Sequence, residues 1–280
     1  MAAFACSSCG ASLGGLREGQ LLAGRFEVKA RLGSGGMGVV YKAHDHELDE
    51  VVALKVLRGE LARSEEMARR FRSEIKLARR VRNAHVCGIH EYGQDGPLRF
   101  IVMEFVQGVD LKRVLSAGAP PAPDAFAIGR QLAAALGAIH EAGIVHRDLK
   151  PANVMLDGER RVRLMDFGIA KQSGQAAGAG LTAAGHVVGT PEYMSPEQIR
   201  GGQLDARSDI YSLGVVLFEL FAGQVPFRGP TAVATLYQHV HDPVPLEAAR
   251  AAGAPAPVLP VLERALAKDP AERYATAGEV

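Results

Sequence analysis

The sequence lacks several features that mark secreted, membrane and nucleic-acid-binding proteins. Only three cysteines occur among 280 residues, too few for a disulfide framework, which favours a reducing cytosol. No basic and apolar leader opens the chain. The longest apolar run, from Tyr211 to Ala222, contains Glu219 and is too short to cross a bilayer. A formal net charge of +1 predicts no general attraction to nucleic acid or to an anionic membrane. We expect a soluble, cytoplasmic protein, or the cytoplasmic part of a longer one that continues beyond Val280.

What the chain does have is enough apolar sequence for a sizeable core, arranged as strands first and helices later. Hydrophobic residues make up 48% of the 280 positions, which suits one large domain or two lobes. Apolar patterning predicts strands at 22–32, 39–43, 51–57, 86–92 and 98–105. Ser64 is a good N-cap for a helix that runs to about Val81. Further on, Asp124 is expected to cap a helix that Gly143 ends, and the apolar stretch 208–222 predicts a buried helix.

The stretch from Val145 to Leu156, V-H-R-D-L-K-P-A-N-V-M-L, carries chemistry at close spacing. Asp148 is a short carboxylate that could accept a proton from an incoming hydroxyl. Lys150 adds a positive charge two residues later, and Asn153 offers an amide oxygen to a hard cation. Apolar residues on both sides predict a loop pinned between buried elements.

A glycine-rich stretch near the start of the chain is typical of phosphate binding. It reads Gly33-Ser34-Gly35-Gly36-Met37-Gly38, and glycines let a backbone close over phosphates without a Cβ in the way. The same spacing occurs in dinucleotide folds, but those need a helix next, and here a second strand follows from Val39. The pattern therefore predicts a hairpin over a nucleotide. Lys55 lies in the next apolar strand, where a buried lysine needs a partner.

Taken in order, these stretches resemble the motifs of eukaryotic-type, or Hanks-type, serine/threonine protein kinases, and most of all the bacterial members of that family. The order His146-Arg147-Asp148-Leu149-Lys150, with Asn153, resembles their catalytic loop. Val51 to Lys55 resembles the V-A-I-K strand, and Asp166-Phe167-Gly168 resembles D-F-G. The run 189–197 resembles the end of an activation loop.

The sequence departs from the family pattern at two positions. Ser195 stands where the family's A-P-E motif begins with alanine. Tyr211 stands where the family usually has tryptophan, and this chain contains no tryptophan. The family counterpart of Asp209 hydrogen-bonds the catalytic-loop backbone. Glu197 and Arg273 match the two halves of a buried ion pair in the family.

The resemblance implies an α+β, bilobal protein-kinase fold. It has a small N-lobe of antiparallel sheet with one main helix, and a larger, mostly helical C-lobe. We expect a flexible tail at 1–21, then a kinase domain at 22–280 that stops inside or just before its last helix. Its N-lobe would cover about 22–104, the hinge about 104–108 and the C-lobe about 109–280. The tail carries Cys6 and Cys9, half of a tetrahedral zinc site, so we expect no tight zinc binding by the isolated monomer.

The resemblance also implies a role for each motif residue. Asp148 would be the base, Lys150 would neutralise the γ-phosphate, and Thr190 would hydrogen-bond both. Lys55 would hold the α- and β-phosphates, paired with Glu74; Glu65 and Glu66 are alternatives at the start of that helix. Asn153 and Asp166 would hold Mg²⁺ or Mn²⁺. The residues expected to contact ATP are Gly33, Ser34, Gly35, Gly36, Met37, Gly38, Val40, Ala53, Lys55, Met103, Glu104, Val106 and Met155.

The implied activity is transfer of the γ-phosphate of ATP to serine or threonine hydroxyls of proteins. Two alternatives share the fold: a pseudokinase scaffold, although no catalytic residue is missing, and a small-molecule phosphotransferase, which would lack the long loop ending at Ser195. Ser173, Thr182 and Thr190 lie in the 169–190 region, and related kinases carry a phosphorylated threonine near Thr182. Arg147 would receive that phosphate. We expect autophosphorylation at Thr182 between two copies of the domain.

Overall fold

The computed structural model describes residues 15–35, 38–57, 65–167 and 190–280, and the chain divides into two compact units. Unit 1 holds the described residues up to Ile75 together with Gly88–Phe105. Unit 2 holds Lys76–Cys87 and the described residues from Val106 to Val280. Some residues discussed above lie outside the described ranges: Cys6, Cys9, Gly36, Met37, Ser64, Gly168, Ser173 and Thr182.

Unit 1 is built on an antiparallel sheet of six strands in the order β1-β2-β3-β4-β6-β5. The strands are β1 Leu21–Leu22, β2 Phe26–Gly35, β3 Gly38–Asp45, β4 Glu50–Leu57, β5 Ile89–Asp95 and β6 Leu98–Glu104. Alternate side chains point to one face, so that Val28, Tyr41 and Leu54 are buried in a single core. Helix α1, Glu65–Ala78, buries Phe71 and Ile75. This is the predicted small lobe of sheet and one helix.

Residues before the predicted boundary at residue 22 already contact the sheet of unit 1. The backbone N–H of Leu16 donates to the Tyr41 hydroxyl at 3.0 Å, and Leu16 packs on the sheet core. The N–H of Gly19 donates to the carbonyl of Val28 at 2.8 Å. These contacts tie residues 16–21, which the sequence analysis assigns to the tail, onto the sheet.

Unit 2 is mainly helical, as predicted. Its helices are α2 Leu111–Ser116, α3 Ala122–Glu141, α4 Pro196–Arg200, α5 Ala206–Ala222, α6 Ala232–His241, α7 Leu246–Ala251 and α8 Val258–Ala265. Helix α5 is buried nearly all round, which explains its largely apolar sequence. A second antiparallel sheet joins β7 Gly108–Asp110, β8 Val154–Asp157 and β9 Val162–Leu164. Strands β8 and β9 lie between the predicted catalytic loop, whose last polar residue is Asn153, and the predicted D-F-G segment, which begins at Asp166.

Two details of the secondary-structure prediction are wrong. Asp124 does not cap its helix, because α3 begins at Ala122 with Pro121 at the cap position and Asp124 in the first turn. A carboxylate there still complements the helix dipole. The strand predicted from Val86 begins only at Ile89. The N–H of Cys87 instead donates to the carbonyl of Leu164 at 2.9 Å in unit 2. Among the helices in the described ranges, none combines the length and the apolar character needed to cross a membrane.

Candidate active site

The backbone of the predicted catalytic loop is held by a buried carboxylate. Asp209, in the first turn of α5, is 1% exposed and accepts hydrogen bonds from the N–H groups of His146 at 2.6 Å and Arg147 at 2.7 Å. His140, at the end of α3, lies with its Nε2 2.8 Å from the same carboxylate. A buried charge must be satisfied in this way to be tolerated. The contact implied for Asp209 by the family resemblance is therefore confirmed.

His146 supports the loop from inside the core. Its side chain is fully buried, its Nε2 lies 3.1 Å from the carbonyl of Met165, and its Nδ1 accepts from the N–H of Asp148 at 3.3 Å. Burial lowers the pKa of His146 below its usual value, so the ring is neutral at physiological pH. A neutral ring can donate through one nitrogen and accept through the other, and both contacts need this form.

The predicted chemical residues of the loop converge on the carboxylate of Asp148. The Lys150 ammonium lies 2.9 Å from Oδ2 of Asp148, and Nδ2 of Asn153 donates to the same oxygen at 3.1 Å. Asn153 Nδ2 also donates to the backbone carbonyl of Asp148 at 2.8 Å. The side chains of Asp148 and Lys150 remain 24% and 21% exposed. The carboxylate is thus held in one orientation and still open to a reactant.

Asn153 and Asp166 have the chemistry of a magnesium site. Because the amide nitrogen of Asn153 makes both hydrogen bonds to Asp148, its amide oxygen is the atom left to bind a cation. The N–H of Met165 donates to the carbonyl of Asn153 at 2.8 Å, which ties the residue before Asp166 to Asn153. The described residues hold no cluster of three or more His, Cys, Asp or Glu suited to a metal. Mg²⁺ commonly takes one or two protein ligands with phosphate oxygens, so a pair fits.

A small cleft of unit 2 brings the end of the activation segment to the catalytic loop. Asp148, Lys150, Thr190 and Tyr193 all line it. The Tyr193 hydroxyl donates to Glu219 on α5 at 2.6 Å. Burial raises the pKa of Tyr193 well above its usual value, so the hydroxyl keeps its proton. Thr190 lines the same cleft as Asp148 and Lys150, the two residues that the family resemblance pairs it with. Its hydrogen bonds to them stay a prediction.

The predicted ion pair between Glu197 and Arg273 is present and buried. Arg273 Nη1 and Nη2 contact the two Glu197 oxygens at 2.7 and 2.9 Å, in the bidentate geometry typical of arginine. The side chains are 0% and 11% exposed for Arg273 and Glu197. Burial by itself would raise the pKa of Glu197, but the hydrogen bonds and charge of Arg273 outweigh it and lower the pKa. The end of the activation segment is thus fixed to the C-terminal part of the chain.

In unit 1 the glycine-rich stretch forms the predicted hairpin of β2 and β3. Gly33 pairs with Val40, Ser34 with Val39, and Gly35 with Gly38. At Gly38 a Cβ would lie 2.2 Å from the backbone oxygen of Val56, so only glycine fits there.

The other residues expected to contact the nucleotide lie on neighbouring strands. Lys55 of β4 pairs with Val40 and with Ile101 of β6. Ala53 pairs with Met103, and both side chains are buried. Also in unit 1, Glu74 is half-buried on α1, and Glu104 ends β6, where its N–H donates to the carbonyl of Gly88 at 2.9 Å. In unit 2, Val106 begins the second segment and Met155 lies on β8. The Lys55–Glu74 pair stays a prediction.

Two polar residues that support the catalytic loop were not predicted from the sequence. His140 holds Asp209, and no local sequence signal marks it. Gln198 donates from Nε2 to the carbonyl of Arg147 at 2.9 Å. The spacing Ser195-Pro-Glu-Gln198 is a capping-box signature that could have identified Gln198 as a structured residue, although not its contact with Arg147.

Comparison with known proteins agrees with this geometry. Residues 26–279 match the family model described as protein kinase domain. The serine/threonine-protein kinase PknB of Mycobacterium tuberculosis (strain ATCC 25618 / H37Rv) is 42% identical over 265 residues, which cover 92% of this chain and 42% of PknB. PknL of the same strain is 39% identical over 261 residues, covering 93% of this chain and 65% of PknL. The chain thus spans less than half the length of PknB.

A solved structure shows the same fold. The crystal structure of the Mycobacterium tuberculosis PknI kinase domain superposes with a TM-score of 0.70 at 31% identity, and the match covers 95% of this chain and 96% of that one. The motifs, the family match and the structural match agree along nearly the whole chain. This chain therefore belongs to the protein kinase family, among the Hanks-type serine/threonine kinases of bacteria.

Proposed function

We propose that this chain is an ATP-dependent protein kinase that transfers the γ-phosphate of ATP to serine and threonine hydroxyls of proteins. The observation that carries the proposal is the arrangement around Asp148. Its carboxylate is oriented by Lys150 at 2.9 Å and by Asn153 at 3.1 Å, on a loop whose backbone Asp209 holds. That is what phosphoryl transfer needs, because it depends mainly on positioning and on charge stabilisation.

In this proposal Asp148 orients the attacking hydroxyl and accepts its proton. Lys150 lies beside Asp148 and neutralises charge that develops on the transferred phosphoryl group. A lysine at this position is typical of the serine/threonine class, and the relatives compared above carry that name. Thr190, which lines the same cleft, would hydrogen-bond both residues.

Asn153 and Asp166 would hold Mg²⁺ or Mn²⁺, because an amide oxygen and a carboxylate are ligands that hard cations prefer. When bound, the ion neutralises phosphate charge and orients the phosphates. In unit 1, Lys55, supported by Glu74, would hold the α- and β-phosphates under the hairpin of Gly33 to Gly38. Ala53, Met103 and the backbone at Glu104 and Val106 would receive the adenine, together with Val40 and Met155.

The substrates would be proteins with accessible serine or threonine, and the ATP requirement suits the cytoplasm. The domain would act there alone or as part of a longer protein. Regulation would come from autophosphorylation of Thr182, which lies outside the described residues, by a second copy of the domain. A phosphate adds a charge of about −1.5 to −2. Arg147, directly before the base, would be its first partner.

A kinase assay on the Asp148→Asn variant tests the proposal. With Mg-ATP and a generic protein substrate, the variant should be slower by roughly 10²–10⁴-fold, the usual contribution of a positioned base. Nucleotide binding should change little, because Asp148 has no assigned contact with the base or the sugar. The matched control is Asp124→Asn, which removes a half-exposed carboxylate on α3 that pairs with Arg160 at the surface. A near wild-type rate for Asp148→Asn would show that the base is assigned wrongly.

A further inference from the structure

The departure from the family pattern at Ser195 belongs to a buried polar pair. Ser195 is 0% exposed and Gln198 is 6% exposed. Gln198 Oε1 accepts from the N–H of Ser195 at 2.9 Å and from its hydroxyl at 3.2 Å. The Ser195 hydroxyl in turn accepts from the N–H of Gln198 at 3.4 Å. These contacts form a capping box at the start of α4. They also settle which way the amide of Gln198 faces.

The amide oxygen of Gln198 accepts both the N–H and the hydroxyl of Ser195, so the amide nitrogen of Gln198 points to the catalytic loop. Nε2 donates to the backbone carbonyl of Arg147 at 2.9 Å. Arg147 has φ of 65°, the left-handed region that residues with a Cβ rarely adopt. Such a conformation persists only where the surroundings hold it.

Both backbone groups of Arg147 are held from outside the loop. Its N–H donates to Asp209 of α5 at 2.7 Å, and its C=O accepts from Gln198 of α4. The next residue is Asp148, so the peptide group that Gln198 binds is the one that joins Arg147 to the proposed base. A rotation of that peptide would turn the carboxylate of Asp148 away from Lys150 and Asn153.

We infer that Gln198 is a positioning residue: its amide, oriented by Ser195, clamps the Arg147–Asp148 peptide and so holds Asp148 in its reactive orientation. The clamp also joins the end of the activation segment to the catalytic loop within unit 2. The inference rests on the proposed function for its catalytic consequence. The structural part, the clamp on Arg147, stands independently of it.

The first experiment measures the clamp without any activity. Hydrogen–deuterium exchange of the loop peptide 145–155 is compared between the wild-type protein, Gln198→Leu and Thr231→Ala, all without nucleotide. Gln198→Leu removes the donor and keeps the bulk. Thr231→Ala is the control, because it removes a helix cap on α6 of the same unit. The clamp predicts faster exchange of the loop in Gln198→Leu alone. Equal exchange in Gln198→Leu and the wild type would overturn it.

The second experiment measures catalysis. Because small misplacements of a catalytic group can cost about 100-fold, kcat of Gln198→Leu should fall by about 10- to 100-fold, with KM for ATP within about twofold. Thr231→Ala should keep wild-type kcat. Ser195→Ala should give a smaller loss, since its backbone N–H still orients Gln198. Unchanged kcat in Gln198→Leu, with an active wild type, would refute a positioning role.

The pH profile separates positioning from general destabilisation. In Gln198→Glu the introduced carboxyl can donate to Arg147 only while protonated, and burial raises its pKa. The ratio of variant to wild-type kcat should therefore fall as pH rises from about 5.5 to 8.5, whereas the ratio for Gln198→Leu should stay flat. A flat ratio for Gln198→Glu would count against the clamp. If the wild type transfers no phosphate, the proposed function fails, and hydrogen exchange alone decides the clamp.

Discussion

Arg273 offers the sharpest test of how this domain is held together. Its guanidinium makes two bonds to Glu197 and three more to backbone carbonyls, those of Ala267, Arg207 and Lys268. All five acceptor atoms would lose a donor in Arg273→Met, and the carboxylate of Glu197 would stay buried without its partner.

The cost can be worked out from that arrangement. Removing one partner of a buried ion pair typically costs about 3–5 kcal/mol. The three carbonyls put the expected loss at the upper end, about 5 kcal/mol, because unsatisfied buried acceptors carry their own penalty. With an unfolding entropy of about 2.1 cal/mol/K per residue, a loss of about 5 kcal/mol should lower the melting temperature of a 280-residue chain by about 8–9 °C.

The assay is denaturant unfolding of Arg273→Met at pH 7, read by circular dichroism. The matched control is Arg250→Met, which breaks a pair of similar length, 2.6 Å to Glu247, whose side chains are 60% and 82% exposed. Exposed pairs contribute about 0–1 kcal/mol, so this control should lose little. A loss below about 1 kcal/mol for Arg273→Met would refute the reasoning that burial makes this pair strong.

Two further predictions concern pH and regulation. His239 is buried and its Nδ1 lies 2.9 Å from the Tyr211 hydroxyl; burial, with the nearby charge of Lys268, lowers its pKa to about 3. The unfolded chain then binds a proton that the fold does not, so stability should fall as pH drops from about 6.5 towards 3, by about 1.4 kcal/mol per pH unit. Denaturant unfolding at pH 7 and pH 5 should show a weaker pH dependence in His239→Gln; an equal dependence would exclude this residue. Thr182→Ala should lose the rise in activity that preincubation with Mg-ATP gives the wild type, since Arg147 would have no phosphate to bind. Full activation of Thr182→Ala would remove this threonine from the proposed switch.

Local patterns predicted most of the secondary structure. The near-continuous apolar strand around Lys55 and the buried helix α5 were both predicted from residue type and spacing, because burial on all sides favours apolar residues at most positions. The errors lie at element ends. Val86 and Cys87 have strand-like sequence, but Val86 forms a parallel bridge with Leu164 and the N–H of Cys87 donates to the Leu164 carbonyl, within unit 2, instead of pairing with β6. Nothing in the local sequence distinguishes these two partners.

The proposed catalytic-loop residues could be predicted from the sequence because they lie close together along the chain. Asp148, Lys150 and Asn153 lie within six consecutive positions, so their spacing alone indicates a loop that can present them together. The residues that support this loop come from far away. Asp209 is 62 positions from Arg147, and Gln198 is 51 positions from it. The resemblance to the family anticipated Asp209, but the sequence could not identify Gln198 or His140 as supports.

The sequence by itself determined the order and spacing of the groups that we propose to do the chemistry, since residue type and short spacing are properties of the chain. Only the tertiary structure decided what holds those groups still. The left-handed backbone at Arg147 persists because a carboxylate from α5 and an amide from α4 bind its two peptide groups. Glu197 stays ionised in the interior because Arg273, 76 positions away, meets it there. Contacts of this range exist only once the helices have packed, because the packing alone brings these side chains within hydrogen-bond distance.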